Sequence, residues 1–114
     1  MRRELALLCL AATVCFAAAP ARATPTWDNV WRHVVMIYPV NAGLIFYVDG
    51  TPEPNPTGAC EKNRLILRTT DANYDTKLAA LLTAYSTGHR IRINYLSQTL
   101  GDCDLVVDRF QALP

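Results

Sequence analysis

Beyond the first 23 residues, which contain Cys9 and Cys15, the side chains whose types could do chemistry are two cysteines and two histidines: Cys60, Cys103, His33 and His89. In an exported chain the two cysteines favour a disulfide between Cys60 and Cys103. On the chain-entropy model, closing the loop between residues 60 and 103 contributes about 4 kcal/mol to stability. The alternative is a zinc site that uses all four residues. We expect no metal there, because neither C-x-x-C nor H-x-x-x-H spacing is present.

Catalytic groups with a recognisable motif are missing from the sequence. An enzyme needs a nucleophile, an acid-base group and charge stabilisers that converge on one point. His33 lies in an apolar run and His89 follows a helical pattern, and neither has a motif partner. Asp102, Asp104 and Asp108 lack the glycine and the distal glutamate of a calcium loop. We therefore expect a protein that is not an enzyme, with no catalytic residues and no cofactor.

A polar strand face carries the residues best suited to bind a ligand. Arg90, Arg92 and Asn94 alternate with apolar residues, so the three share one face of a strand. A solvated face is the ordinary use of such a pattern, and a groove for a ligand or partner is the alternative. Trp27 and Trp31 flank the first predicted strand, and a tryptophan ring can stack on a sugar. We keep Arg90, Arg92, Asn94 and Trp31 as candidate ligand-binding residues.

Five strands and one helix are expected to position these residues. Alternating or apolar runs predict strands, and residues 24–29 are polar enough to be loosely held. Turn residues separate the first two runs at Asn41-Ala42-Gly43. The predicted strands cover residues 33–38, 44–49, 64–68, 90–95 and 105–110, with the helix at 74–86.

The helix is the clearest predicted element. Gly88 suits the left-handed position that ends a helix, and Thr70, Asp71 and Asn73 offer N-caps. Helical spacing predicts a single apolar stripe, made of Tyr74, Leu78, Leu81, Leu82 and Tyr85.

The element order β-β-β-α-β-β indicates a mainly β protein. It is the chain order of the OB fold, a small five-stranded barrel with one helix between the third and fourth strands. We therefore predict a five-stranded OB-like barrel in which the helix plugs one open end. A split α+β sandwich is the main alternative, because the sequence does not reveal the order of strands in space.

The first 23 residues are typical of an export signal. Arg2 and Arg3 precede an apolar run over residues 5–19, and Ala21-Arg22-Ala23 fits a cleavage site. The run is too short to span a bilayer, which argues against the alternative of an uncleaved anchor. We expect residues 24–114 to form one mature domain, located in the periplasm or secreted, with no stable membrane insertion after removal of the signal.

Charge argues against a nucleic-acid partner. The whole chain has a net charge of +1, and removal of the signal takes away three arginines and Glu4, which leaves −1. Such a balance provides no electrostatic surface for nucleic acid or an anionic membrane.

One block of the sequence resembles a known family. The segment Tyr85-Ser86-Thr87-Gly88-His89-Arg90-Ile91-Arg92-Ile93-Asn94-Tyr95 is similar to the helix end and fourth strand of AB5-toxin B subunits. These are the B subunits of the subtilase-cytotoxin and typhoid-toxin type. The similarity extends to residues 34–37 and 46–50 and to Cys60. Many small exported bacterial proteins of unassigned role share this block and a cysteine pair.

The resemblance implies an OB barrel, export and no catalytic activity in this chain. Barrels of the toxin family form pentameric rings that bind cell-surface glycans, so a homo-oligomer is one expectation. Asp28 matches one sugar-binding position and joins the candidate ligand-binding residues. We expect a non-enzymatic exported binding module whose ligand is a protein or a glycan. The alternatives are a glycan-binding ring of the toxin type and a small periplasmic enzyme or enzyme inhibitor.

Overall fold

The computed structural model of the chain describes residues 24–54, 56, 60–96 and 104–114. The predicted export signal, residues 1–23, and Cys103 lie outside the described residues. Cys60 is disulfide-bonded, and its pairing with Cys103 stays a prediction. No helix in the described part of the chain is long and apolar enough to cross a membrane.

One sheet and one helix make up the described fold. In chain order the elements are β1 (Thr26–Trp27), β2 (Val34–Val40), β3 (Gly43–Val48), β4 (Arg64–Arg68), α1 (Tyr74–Thr87), β5 (Ile91–Leu96) and β6 (Leu105–Ala112). The sheet order is β1-β5-β6-β4-β3-β2, and all neighbouring strands are antiparallel except the parallel pair β4 and β6. The prediction of a mainly β domain with a single helix is therefore confirmed.

The number of strands and the closed barrel differ from the prediction. The described sheet has six strands, and its hydrogen-bonded order is open, with β1 at one end and β2 at the other. The additional strand is β1, in the polar segment that we expected to be loosely held. It pairs with Asn94 and Tyr95, and the N–H of Asp28 extends the pairing to the carbonyl of Ile93 at 2.8 Å. Backbone pairing thus holds a segment whose side chains gave no strand signal.

The other predicted elements match the observed ones within one or two residues, and β4 matches at both ends. The largest difference concerns β2, which continues through Pro39 to Val40. Pro39 lies opposite Leu44 in an edge strand. A proline is tolerated there because an edge strand needs backbone donors on one side only.

Helix α1 ends as predicted and begins somewhat differently. Gly88 has a φ of 72°, in the left-handed region, and its N–H donates to the carbonyl of Ala84. Asn73 occupies the N-cap position without a side-chain hydrogen bond. The Asp71 carboxylate instead accepts from the N–H of Asn73 at 2.9 Å and from Lys77 Nζ at 2.6 Å. Asp71 thus stabilises the helix start from two residues upstream.

The apolar stripe of the helix is narrower than predicted. Leu81 and Ala84 are buried, and Tyr74 and Leu78 pack partly against the same core. Leu82 and Tyr85 are 37% and 40% exposed, so their prediction as core residues was wrong. Each follows a buried residue by one position, which rotates it about 100° around the helix axis.

The sheet is apolar on both faces. The inner core combines the helix with residues of β2 to β6, among them Phe46, Leu65 and Ile93. A smaller outer cluster contains Ile45, Ile66 and Val106, which the strand register places side by side. The continuous apolar runs of β3 and β4 reflect this burial on both faces. The same expectation was wrong for the edge strand β2, where Val35, Met36 and Tyr38 are exposed.

We predict that Leu81→Ala lowers the free energy of unfolding by about 2–5 kcal/mol, because it leaves a cavity in the inner core. Leu82→Ala is the matched control on the same helix and should cost under about 1 kcal/mol, because the side chain is partly solvated. Urea denaturation followed by circular dichroism measures both. Equal losses in the two variants would contradict the assignment of the buried helix face.

Candidate functional site

Strand β5 turns its polar residues away from the inner core. Ile91 and Ile93 lie in that core, so the alternation of a strand puts Arg92 and Asn94 on the opposite face. Arg90 directly precedes β5 and continues the alternation, and its carbonyl accepts from the N–H of Leu113 at 2.9 Å. The structure therefore brings three of the predicted binding residues to one outward face.

Neighbouring strands complete this outward face. Asn94 lies opposite Trp27 of β1 on one side and opposite Arg109 of β6 on the other. Arg92 lies opposite Gln111 of β6. Aromatic, amide and guanidinium groups from three strands thus share one surface. We call it the arginine face, and it consists of Trp27, Arg90, Arg92, Asn94, Arg109 and Gln111.

Arg92 is fixed in place by two contacts. Its Nε donates to the backbone carbonyl of Asp28 at 2.8 Å, and its Cζ lies 5.4 Å from the centre of the Trp27 ring. Stacking of a guanidinium on an indole is favourable because the ring face is electron-rich. Among the described residues the Arg92 side chain makes no other hydrogen bond. Its two Nη groups are therefore held in position and remain able to bind a ligand.

Asn94 is the buried polar residue of the arginine face. Its side chain is 2% exposed, and its Oδ1 has no hydrogen-bond donor among the described residues. A buried acceptor without a partner costs about 1–3 kcal/mol. Such an atom is uncommon in a stable fold, and because it is buried it lies beneath the surface that a ligand would contact.

The charge of the arginine face is positive. Arg90, Arg92 and Arg109 contribute three positive charges, and Arg109 is paired with Asp108, whose Oδ2 lies 3.2 Å from Arg109 Nε. Both partners of that pair are exposed, so the attraction between them is weak. Because the whole chain carries a net charge of only +1, this face concentrates positive charge and favours anionic ligands.

A buried ion pair lies behind the arginine face. The Asp28 side chain is fully buried, and its Oδ2 accepts from Arg32 Nε at 2.8 Å. Its Oδ1 accepts from Arg32 Nη2 at 3.2 Å and from the N–H groups of Val30 and Glu53 at 3.1 and 3.0 Å. The carboxylate is thus fully hydrogen-bonded within the protein. The structure gives Asp28 a positioning role, and its carboxylate lies out of reach of a ligand.

Arg32 joins this pair to the loop that follows β3. Its Nη1 donates to the carbonyl of Asp49 at 3.2 Å, and its Nη2 donates to the carbonyl of Thr51 at 2.7 Å. The hydrogen bond to Asp28 raises the pKa of Arg32 further above its ordinary value, so the side chain stays charged. Gly50 has a φ of 93°, and a Cβ there would lie 2.7 Å from Arg32 Nη1. Glycine is therefore required beside the guanidinium.

Trp31 takes no part in the arginine face. Its side chain is half-buried next to Arg32, and within the described part of the chain it makes no hydrogen bond or ring contact. The structure therefore supplies no contact that supports Trp31 as a ligand-binding residue.

One histidine lies beside a carboxylate. His33 Nδ1 is 3.1 Å from Asp49 Oδ2, and the N–H of His33 donates to Asp49 Oδ1 at 2.8 Å. The two side chains are 49% and 46% exposed, so the pair lies on the surface. An open depression of about 340 Å³ lies elsewhere, at the start of α1, and contains neither histidine. Among the described residues, no group of three histidine, cysteine, aspartate or glutamate side chains could hold a metal ion.

Comparison with known proteins gives no relative: no protein-family model, no curated protein and no solved structure matches this chain. The similarity to AB5-toxin B subunits therefore rests on the sequence segments named above alone, and it stays a prediction.

Three members of the arginine face were not among the predicted binding residues: Trp27, Arg109 and Gln111. Arg109 and Gln111 alternate along β6 in the same way as Arg90 and Arg92 near β5, so their pattern was visible. Which strands are neighbours was not visible, and only the register joins the two pairs. Arg32 was missed as well, although an aspartate four residues before an arginine is a recognisable charge pair.

We predict that Asp28→Asn lowers the free energy of unfolding by about 3–5 kcal/mol, because it leaves the buried Arg32 guanidinium without its counter-charge. Asp49→Asn is the matched control and should cost under about 1 kcal/mol, because its carboxylate is half exposed. Its backbone carbonyl still accepts from Arg32. Chemical denaturation at neutral pH measures both variants, and a loss below 1 kcal/mol for Asp28→Asn would contradict the network.

Tyr95 predicts a dependence of stability on alkaline pH. Burial raises the pKa of Tyr95, and its hydroxyl donates to the carbonyl of Pro54 at 2.7 Å. Above pH 10, roughly the pKa of an exposed tyrosine, the unfolded chain releases this proton more readily than the folded protein does, which favours unfolding. We predict that the free energy of unfolding falls between pH 9 and about 11. The free energy of unfolding of Tyr95→Phe should fall less over this range. Tyr47 is present in both proteins and contributes equally to the two pH curves. An equal dependence of the free energy of unfolding on pH in the two proteins would contradict the burial of the Tyr95 hydroxyl.

Proposed function

We propose that this protein is a non-enzymatic exported binding module, built on an OB-like barrel, whose arginine face binds a protein partner. The observation that carries the proposal is the fixed Arg92, stacked on Trp27 and hydrogen-bonded to the Asp28 carbonyl. An arginine held before binding loses little conformational entropy when a ligand arrives, which favours affinity.

The register of the first two strands supports a barrel-like arrangement. β1 and β2 lie at opposite ends of the sheet order, although only six residues separate them in sequence. Arg32 forms a bridge with Ile91 of β5, and two residues later Val34 pairs with Val48 of β3. The chain therefore passes from one end of the sheet to the other within two residues. A broken first strand that contributes to both ends of a partly open, OB-like barrel accounts for this pairing.

The parallel pair and the helix agree with the same proposal. β4 and β6 are parallel, and α1 lies between β4 and β5 in the chain with Leu81 in the inner core. A helix that connects two strands and covers one end of the core is the arrangement expected of an OB barrel.

The compartment is part of the proposal and rests on the signal-like residues 1–23. A disulfide at Cys60 fits the oxidising periplasm or medium better than the cytoplasm.

A protein partner accounts for the arginine face better than a glycan does. Sugar binding commonly uses an open aromatic ring, and one face of the Trp27 ring is already covered by Arg92. Arginine and tryptophan are enriched in protein interfaces, where the guanidinium pairs with carboxylates. Reaction chemistry receives less support, because in the described ranges of the chain the surface pair of His33 and Asp49 has no nucleophile among its hydrogen-bond partners.

The proposal predicts that partner capture depends on Arg92. The protein, purified with its native disulfide, is immobilised and exposed to native periplasmic or secreted material. Arg92→Gln should lose at least about tenfold of the captured partner, because a charged hydrogen bond is lost. Lys62→Gln is the matched control, since Lys62 is exposed on a loop outside the arginine face. It should capture as well as the wild type.

Glycan-array screening of the same proteins distinguishes a protein partner from a glycan ligand. Silence on the array together with Arg92-dependent protein capture supports the proposal. Reproducible glycan hits that disappear in Arg92→Gln would overturn the protein partner in favour of a lectin of the toxin type. Capture that is equal in Arg92→Gln and Lys62→Gln would exclude the arginine face as the binding surface.

A further inference from the structure

We infer that the arginine face binds an extended acidic peptide segment whose carboxylates occur at alternate positions. The inference rests on the proposed function and makes the partner's chemistry specific. The carboxylates are recognised by Arg90 and Arg92 along β5, with Arg109 and Gln111 beside them on β6.

The spacing of the arginines matches that of an extended chain. Arg90 and Arg92 are two residues apart on one face of the strand, which corresponds to about 6.6 Å along it. A peptide in extended conformation repeats its side chains on one face at the same distance. Acidic residues at positions i and i+2 of such a peptide therefore lie opposite the two guanidinium groups. Adjacent acidic residues would point to opposite sides of the peptide, and only one of them could make the contact.

The donors of Arg92 that are left for a ligand determine which type of anion the side chain can bind. Its Nε is occupied by the Asp28 carbonyl and its ring-facing side by Trp27. The two Nη groups remain, and they form the planar pair of donors that matches the two oxygens of a carboxylate. Trp27 is half-buried, so a ligand that binds at Arg92 changes the environment of the Trp27 indole.

The shape of the surface favours a chain over a small molecule. The arginine face is formed by side chains along neighbouring strands, and the depression at the start of α1 includes none of them. A small anion on such an open face keeps most of its hydration, whereas a chain makes several charged contacts at once.

Two synthetic eight-residue peptides test the inference with the disulfide-bonded protein. One alternates glutamate with threonine, and the other has the same composition with its four glutamates in two adjacent pairs (EETTEETT), so that no two glutamates are two residues apart. Binding is followed by anisotropy of a labelled peptide and by tryptophan fluorescence of the protein. We expect the alternating peptide to bind about tenfold more tightly than the paired peptide, since an additional charged hydrogen bond is formed.

Protein variants locate the contact. Arg92→Gln should weaken binding of the alternating peptide at least about tenfold, Arg92→Lys should weaken it less, and Lys62→Gln should leave it unchanged. Arg90→Gln serves as a second variant, because Arg90 is exposed and its replacement does not threaten folding. Circular dichroism of each variant checks that the fold is intact.

Equal affinity for the two peptides, or unchanged affinity in the folded Arg90→Gln and Arg92→Gln variants, would overturn the inference. Tighter binding of a carboxylated polysaccharide of equal charge density would also overturn it. If neither peptide binds but partner capture still depends on Arg92, the acidic-peptide inference fails and the proposed function stands.

Discussion

A buried ion pair between Asp28 and Arg32 holds the place where the chain passes from one end of the sheet to the other. Asp28 follows the strand that pairs with β5, and Arg32 precedes the strand that pairs with β3. Burying two charges is costly, and the cost is offset only when the remaining hydrogen-bonding groups are satisfied. That condition is met, because backbone N–H groups and carbonyls surround both side chains. An apolar pair could not join β1, β2 and the loop at residues 49–53 through such directional contacts.

The same pair links the fold to the candidate binding surface. The pair fixes the backbone carbonyl of Asp28, which accepts from Arg92 Nε. Trp27 directly precedes Asp28 in the chain, and its ring stacks on the Arg92 guanidinium. A ligand therefore meets an arginine whose position is determined by buried contacts rather than by solvent. Flexible surface arginines lose more entropy on binding, so this arrangement favours a specific partner over general attraction to anions.

The sequence predicted local structure well and long-range arrangement poorly, for physical reasons. Periodicity and end signals gave β4, the helix and the left-handed Gly88, because these depend on neighbouring residues. The strand β1 was missed, since its pairing comes from β5, more than sixty residues away. The candidate site was half predicted: alternation revealed Arg90, Arg92 and Asn94. The partners Arg109 and Gln111, and the internal use of the Asp28 carboxylate, depend on register and burial that a single sequence does not contain.

Native-state hydrogen exchange at the junction tests the central role of the ion pair most directly. The amide groups of Asp28, Arg32 and Ile91 donate to backbone carbonyls of β5 or of the junction itself. If the ion pair holds the sheet together, these amides exchange only through global unfolding, with the same free energy as the amide of Phe46 in the core. Exchange of the junction amides through a local opening, while Phe46 remains protected, would contradict the account.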